Sequence, residues 1–91
     1  MSLSRAVSAE YVKQGIRVNV VCPGTTHTAS LEQRIQNSPD PAATRKEFMA
    51  RQPIGRLGKE AEIAHTILFA SSDEGGYMTG SVLVVDGGMT T

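Results

Sequence analysis

Two short runs of branched apolar residues constrain this chain more than anything else in it. The first covers residues 16–22, Ile-Arg-Val-Asn-Val-Val-Cys. It alternates, with Ile16, Val18, Val20 and Cys22 on one side and Arg17 and Asn19 on the other, until Val21 makes its end apolar on both faces. The second, Val82-Leu83-Val84-Val85, is apolar on both faces throughout. Side chains alternate across a strand, so strands of this kind need cover above and below their sheet, which helices supply in an α/β architecture. Both runs stop at turns, Pro23-Gly24 and Asp86-Gly87-Gly88. Proline donates nothing to a ladder, and glycine permits a sharp turn and close backbone approach. In an open α/β sheet, ligands sit just beyond the carboxyl ends of the strands. The hydroxylated stretch 25–30, Thr-Thr-His-Thr-Ala-Ser, falls at such a place.

Helical patterns fill the rest. Residues 4–14 predict a helix: Leu3, Val7 and Tyr11 form a stripe, Lys13 suits the last turn and Gly15 suits the position just past it. Residues 30–36 predict a short helix with Ser30 as N-cap and Leu31 and Ile35 as its apolar pair. The turn-rich run 37–41 separates it from a second helix over 41–51, with Ala42, Arg45, Phe48 and Met49 on one side and Gln52-Pro53 at its end. Together residues 29–52 resemble an inserted cap more than sheet scaffolding. Residues 53–58 are expected to be irregular. Residues 59–71 give the strongest helix, with Ile63, Ala64, Ile67, Leu68 and Ser71 on one face and Glu60 and Glu62 at the positive end of the dipole. Residues 73–80 read as a loop.

The order is helix, strand, cap helices, helix, strand. Two strands joined through a helix predict parallel pairing by a right-handed crossover. Both strands are too apolar to be outer strands of so small a unit. Residues 1–91 therefore read as the C-terminal part of one larger α/β domain.

Composition narrows the function. Lys plus Arg and Asp plus Glu both number 9 in the 91 residues, so the net charge is zero and nothing argues for nucleic acid or a membrane surface as partner. The single cysteine, Cys22, allows no disulfide framework and no CxxC metal site, and reads as a small buried hydrophobe. No apolar run approaches the ~18 residues needed to span a bilayer. Residues 1–5 lack the basic start and long apolar stretch of a signal peptide, so a cytoplasmic location is expected.

A series of short motifs then points to a family. Gly15-Ile16-Arg17-Val18-Asn19 runs into Pro23-Gly24-Thr25-Thr26-His27-Thr28. Pro53-Ile54-Gly55-Arg56-Leu57-Gly58 follows, with Glu60, Glu62, Ile63 and Ala64; then Phe69-Ala70-Ser71, Ser72-Asp73, Tyr77 and Thr79-Gly80; then Val84-Val85-Asp86-Gly87-Gly88. Each piece alone is weak, but the ordered series resembles the C-terminal third of the short-chain dehydrogenase/reductase family. That resemblance implies a Rossmann-type doubly wound parallel sheet, with the two apolar runs as its last two strands. Cys22-Pro23-Gly24-Thr25, Ser30-Leu31, Arg34-Ile35, Phe48 and Arg51-Gln52 resemble the type 2 3-hydroxybutyrate dehydrogenases and sugar-acid dehydrogenases within it.

The resemblance implies an NAD or NADP cofactor and a small-molecule substrate. Gly24, Thr26, Thr28 and Ser30 match the family loop that holds the nicotinamide and its phosphates. Arg34 and Arg51 match arginines that bind a substrate carboxylate, for which a guanidinium fork is well shaped. Both sets also have plain readings, as a polar turn and as two solvated arginines. His27 and His65 read as solvated or contact residues, Arg45 and Lys46 as solvent-facing, and Asn19 and Asp86 as structural. No metal-ligand cluster is present. In the family the last helix and strand also form a twofold subunit interface, so a homo-oligomer through them is expected.

Two family motifs are not in these residues. The glycines never take the Gly-x-x-x-Gly-x-Gly spacing that seats a pyrophosphate at a helix N-terminus, and no Tyr-x-x-x-Lys occurs: four after Tyr11 is Gly15, and four after Tyr77 is Ser81. In the family that pair lies on the helix whose tail matches residues 3–14, and the catalytic serine lies further upstream. No catalytic residue is therefore assigned. The expected role is that of a C-terminal segment of an NAD(P)-dependent oxidoreductase acting on a secondary alcohol or ketone, such as a hydroxy acid or sugar acid, inactive in isolation. The alternative is a non-catalytic, self-associating α/β module.

Overall fold

The structure is a computed structural model and describes residues 2–90; Met1, the first residue of the 1–5 stretch that lacks a signal-peptide pattern, and Thr91 lie outside the described residues. Helix α1, Ser2–Tyr11, tightens into a single 3-10 turn, Val12–Gln14. Gly15 closes it in the left-handed region at φ 81°, and its N–H reaches Val12 O at 3.1 Å. The chain continues through β1, Val20–Pro23, a two-residue strand β2, Thr26–His27, and the helices α2, Ala29–Gln36, and α3, Pro41–Ala50. Then come β3, Gly58–Lys59, α4, Glu60–Ser71, a 3-10 turn at Asp73–Gly75, and β4, Val82–Val85.

The two apolar runs pair as expected. Strands β1 and β4 are parallel, with Val20 opposite Val82 and Pro23 opposite Val85. The ladder starts later than predicted, at Val20 rather than Ile16, because side chains replace it upstream. Val18 donates its N–H to Thr79 Oγ1 (3.1 Å) and accepts from Gly80 N (2.7 Å). Asn19 accepts from Ser81 N (3.0 Å) and donates from Nδ2 to Met78 O (3.1 Å), the structural role expected of it. Ser8, buried on α1, shares a hydrogen bond with the same Thr79 hydroxyl.

Two further expectations are corrected, and Arg17 gains a role. Residues 53–58 are not wholly irregular: Gly58–Lys59 pairs in parallel with Thr26–His27, fixing the loop after β1 against the start of α4. Arg45 does not face solvent alone. Its Nη2 lies 2.6 Å and 2.7 Å from the two carboxylate oxygens of Glu32 and ties α3 to α2. The polar side chain of Arg17 belongs to the tertiary structure. Its Nη1 reaches the carbonyls of Ala70 (2.7 Å), Gly75 (2.8 Å) and Met78 (3.0 Å), and its Nη2 that of Ser72 (3.1 Å). It thereby caps the C-terminal end of α4, where carbonyls lack helical partners and a cation meets the negative end of the dipole.

The described buried apolar side chains are few. Leu31 and Ile35 form the buried side of α2, as their spacing predicts, and Ala70 lies at the end of α4. The apolar faces of α4 and β4 are only partly covered within this chain, less than the burial read from the sequence. Leu68 is 65% exposed and Val84 53% exposed. The chain is elongated, 53 Å long and 21 Å across, which leaves little depth to bury either element.

Candidate functional site

The loop after β1 begins at Gly24, whose lack of a side chain is a steric requirement. A Cβ there would stand 2.7 Å from Asp86 Cα and 2.9 Å from Asp86 O. The glycine lets the ends of β1 and β4 close together, and Gly24 N donates to Val85 O at 3.0 Å. Beyond it, Thr26 turns its hydroxyl onto Gly24 O (3.2 Å). Gly24 and Thr26 border a cleft of about 530 Å³ whose polar wall is made by Gln52, Arg56, Glu62, Asp86 and Thr90.

Thr28 and Ser30 lie elsewhere on the loop. Thr28, not Ser30, is the N-cap of α2: its Oγ1 accepts from Leu31 N at 3.1 Å, while Ser30 sits exposed in the first turn. The cap is taken two residues earlier than predicted because Thr28 is the last extended residue, at ψ 166°. The Thr28 hydroxyl proton stays available to donate.

Arg34 and Arg51, seventeen positions apart in sequence, meet at one aromatic ring. The Arg51 guanidinium carbon is 4.4 Å from the Phe48 ring centre and that of Arg34 is 5.8 Å from it. A ring face attracts cations and orients guanidinium planes. Among the described residues neither arginine is paired with a carboxylate. Two cations held on one ring with no anion beside them can take a carboxylate.

Gln52 joins these two halves; in the sequence it marks the end of a helix and shares, with Arg51, in the subfamily resemblance, with no role of its own. It is buried (3% exposed); its Oε1 accepts from Thr25 N (3.2 Å) and its Nε2 donates to Phe48 O (2.9 Å). A further signal in the sequence is a polar residue directly before Pro53, just past an amphipathic helix.

Other charges are engaged structurally. The Thr90 hydroxyl, 2.7 Å from Asp86 Oδ2, holds the Asp86 carboxyl below its ordinary value, helped by the N–H groups of Gly88 and Thr90. Asp86 thus clamps a turn, as expected. Arg56 pairs with Glu62 through two bonds of 2.8 Å and 3.0 Å, and Lys59 N donates to Glu62 Oε1 at 2.9 Å. These bonds, the Arg56 guanidinium first, pull Glu62 from 4.5 to about 2. His27 Nε2 lies 3.8 Å from Glu32, whose carboxyl is lowered chiefly by Arg45. Among the described residues no group of three or more His, Cys, Asp or Glu side chains could hold a metal, and no helix is long and apolar enough to cross a membrane.

The donor set suits one end of a nicotinamide dinucleotide. The hydroxyls of Thr28 and Ser30 stand at the N-terminus of α2, where carboxamide or phosphate oxygens find donors, while the Thr26 hydroxyl is donated to Gly24 O. No glycine-rich turn for the pyrophosphate is present in the sequence.

Comparison with known proteins agrees with this architecture. A family model described as enoyl-(acyl carrier protein) reductase matches residues 1–90. An uncharacterized oxidoreductase of Thermotoga maritima is 51% identical over 90 residues, 99% of this chain and 36% of that protein. The 2-keto-3-deoxy-L-fuconate dehydrogenase of Xanthomonas campestris is 47% identical over 89 residues, 97% of this chain and 30% of that protein. Among solved structures, 4-hydroxyisoleucine dehydrogenase complexed with NADH superposes with a TM-score of 0.83 at 31% identity, over 98% of this chain and 35% of that one. The chain spans about a third of the length of the relatives it matches. Its α/β architecture is that of Rossmann-type members matched over the same share. With parallel strands, a glycine-tight loop after the first of them and a family model matched from residue 1 to residue 90, the chain belongs to the short-chain dehydrogenase/reductase family.

Proposed function

We propose that this chain supplies the nicotinamide-side loop and the substrate cap of an NAD- or NADP-dependent oxidoreductase that moves a hydride between nicotinamide and a secondary alcohol or ketone bearing a carboxylate. The cofactor carries the hydride. Gly24 sets the path of the loop, and the Thr26, Thr28 and Ser30 hydroxyls orient the nicotinamide end. Residues 29–52 form the cap, in which Arg34 and Arg51 bind the acid group and keep it from bulk water. No residue of the chain is assigned the proton transfer, because the Tyr-x-x-x-Lys pair does not occur in it. The open apolar side of α4 and β4 is the surface for subunit association, and the location is cytoplasmic.

The observation that carries the reading is the arginine pair on Phe48, joined to the cofactor loop through one buried glutamine. The sugar-acid dehydrogenase of Xanthomonas supports the substrate class, and the NADH complex supports the cofactor.

The test is a chimera in which residues 1–90 replace the matched third of the Thermotoga relative. Hydroxy acids and neutral secondary alcohols are assayed with both cofactors. Arg34→Ala and Arg51→Ala are each expected to lower kcat/KM for acids by about tenfold to a hundredfold, the worth of one charged hydrogen bond, and to leave neutral alcohols unchanged. Equal effects on both substrate types would refute the carboxylate role.

A further inference from the structure

We infer that Gln52 is a positioning residue that holds the cofactor-side loop and the carboxylate-side cap at a fixed separation, so that each is ordered by the other. The inference rests on the proposed function for its biological meaning and on the structure for its geometry. Gln52 Oε1 accepts from Thr25 N, between the two loop residues that border the cleft, and its Nε2 donates to the carbonyl of Phe48, the residue whose ring carries both arginines. Only a group with one acceptor and one donor satisfies both sites. Glutamate lacks the donor, lysine lacks the acceptor, and leucine lacks both.

The stem of the side chain is held as well. A Cβ built on Gly87 would stand 3.2 Å from Gln52 Cβ and 3.3 Å from Gln52 Cγ, so the turn after β4 presses against it. Ile54 N also donates to Gly87 O at 3.0 Å, pinning the backbone that follows Gln52 to the same turn. The amide therefore has little freedom to drift, and a displacement of α3 is passed to Thr25 through a short, rigid connection. A buried, fully satisfied polar bridge of this kind fixes geometry more than it adds stability.

The two ends can be tested separately by amide hydrogen exchange on the 91-residue chain. Gln52→Leu removes both bonds. Gln52→Glu keeps an acceptor for Thr25 N and sets a carboxylate against Phe48 O. The Gln52→Leu variant is expected to speed exchange about tenfold both at Thr25 and at the end of α3, where Arg51 N and Gln52 N bond to Phe48 O and Met49 O. The Gln52→Glu variant is expected to speed only the α3 end and to leave Thr25 within about twofold of the parent. A purely structural role would move both ends together in both variants, and that result, or an unchanged Thr25 in Gln52→Leu, overturns the inference.

Sodium 3-hydroxybutyrate is then titrated into the chain and followed by NMR. In the parent, shifts at the Arg34 and Arg51 side chains are expected to be accompanied by a shift of the Thr25 amide; in Gln52→Glu the arginine shifts remain and the Thr25 shift disappears. A Thr25 shift that survives in Gln52→Glu overturns the coupling. Failure of the arginines to respond in the parent refutes the carboxylate reading instead, and the exchange data still decide the role of Gln52.

Discussion

Replacing Gly24 with alanine places two effects in opposition, and the structure decides between them. Gly24 has no positive φ, so alanine is compatible with its backbone. On that ground alone the substitution would stabilise by about 0.4–1 kcal/mol, by restricting the unfolded chain. Against it stands the added methyl, 2.7 Å from Asp86 Cα, 2.8 Å from Asp86 Cβ and 2.9 Å from Asp86 O. Those neighbours are backbone or next to it, and Asp86 cannot swing away while Gly88, Thr90 and the Thr90 hydroxyl hold its carboxylate. The β1 and β4 ends must part, stretching the bond from Gly24 N to Val85 O. Overpacking of this kind costs about 1–3 kcal/mol, so the net effect is a loss of roughly 1–2 kcal/mol. For a domain of this size that lowers Tm by about 5–15 °C in a thermal melt followed by circular dichroism. Faster amide exchange at residue 24 should accompany it. An unchanged or raised Tm would refute the argument, because it would mean that the two strand ends are not in contact.

Three other outcomes follow from the same geometry. Arg17→Met keeps the stem but strips four carbonyls of their donor, and should cost about 2–3 kcal/mol in urea unfolding, with the 73–80 loop exchanging fastest; a neutral result would mean that the guanidinium contacts are not formed in solution. Thr28→Ala removes the cap of α2 and should cost about 1 kcal/mol, whereas Ser30→Ala should be nearly silent for stability; the reverse order in thermal melts would restore Ser30 as the cap. Stability should also fall in acid. Glu62, Glu32 and Asp86 all have depressed folded-state values, so their contribution is complete above the ordinary carboxylate range and is lost as pH falls, for Glu62 between 4.5 and about 2. Glu62→Gln should flatten the acid limb of Tm against pH, and an identical limb in the variant would exclude Glu62 from it.

Local patterns made much of the fold readable from sequence, and long-range partners made the rest unreadable. The branched runs located both strands and their parallel pairing, and the Leu31 and Ile35 spacing found the buried side of α2. Gly15 marked the end of α1. The late start of β1 was hidden because it depends on Asn19 and Thr79, sixty positions apart. Arg17 read as the polar side of a strand because nothing nearby shows that its guanidinium ends at the far end of α4. The pairing of Thr26–His27 with Gly58–Lys59 involves two residues on each side, too few for any period to register. The candidate site shows the same division. Gly24, Thr26, Arg34 and Arg51 were reached through residue type and family likeness. Gln52 joins two segments through one acceptor and one donor, and no sequence pattern reports that.

The most direct measurement is a calorimetric titration of NADH and NADPH into the 91-residue chain, with its mass in solution determined alongside. In this account the chain holds the nicotinamide end of the site while the glycine-rich pyrophosphate turn is not among its residues. It should therefore bind either cofactor more weakly than about millimolar, less than ~4 kcal/mol, and should self-associate through the open face of α4 and β4. Micromolar binding by a monomer would contradict the account: the loop after Pro23-Gly24 would then suffice for cofactor recognition, and the apolar face would need no partner.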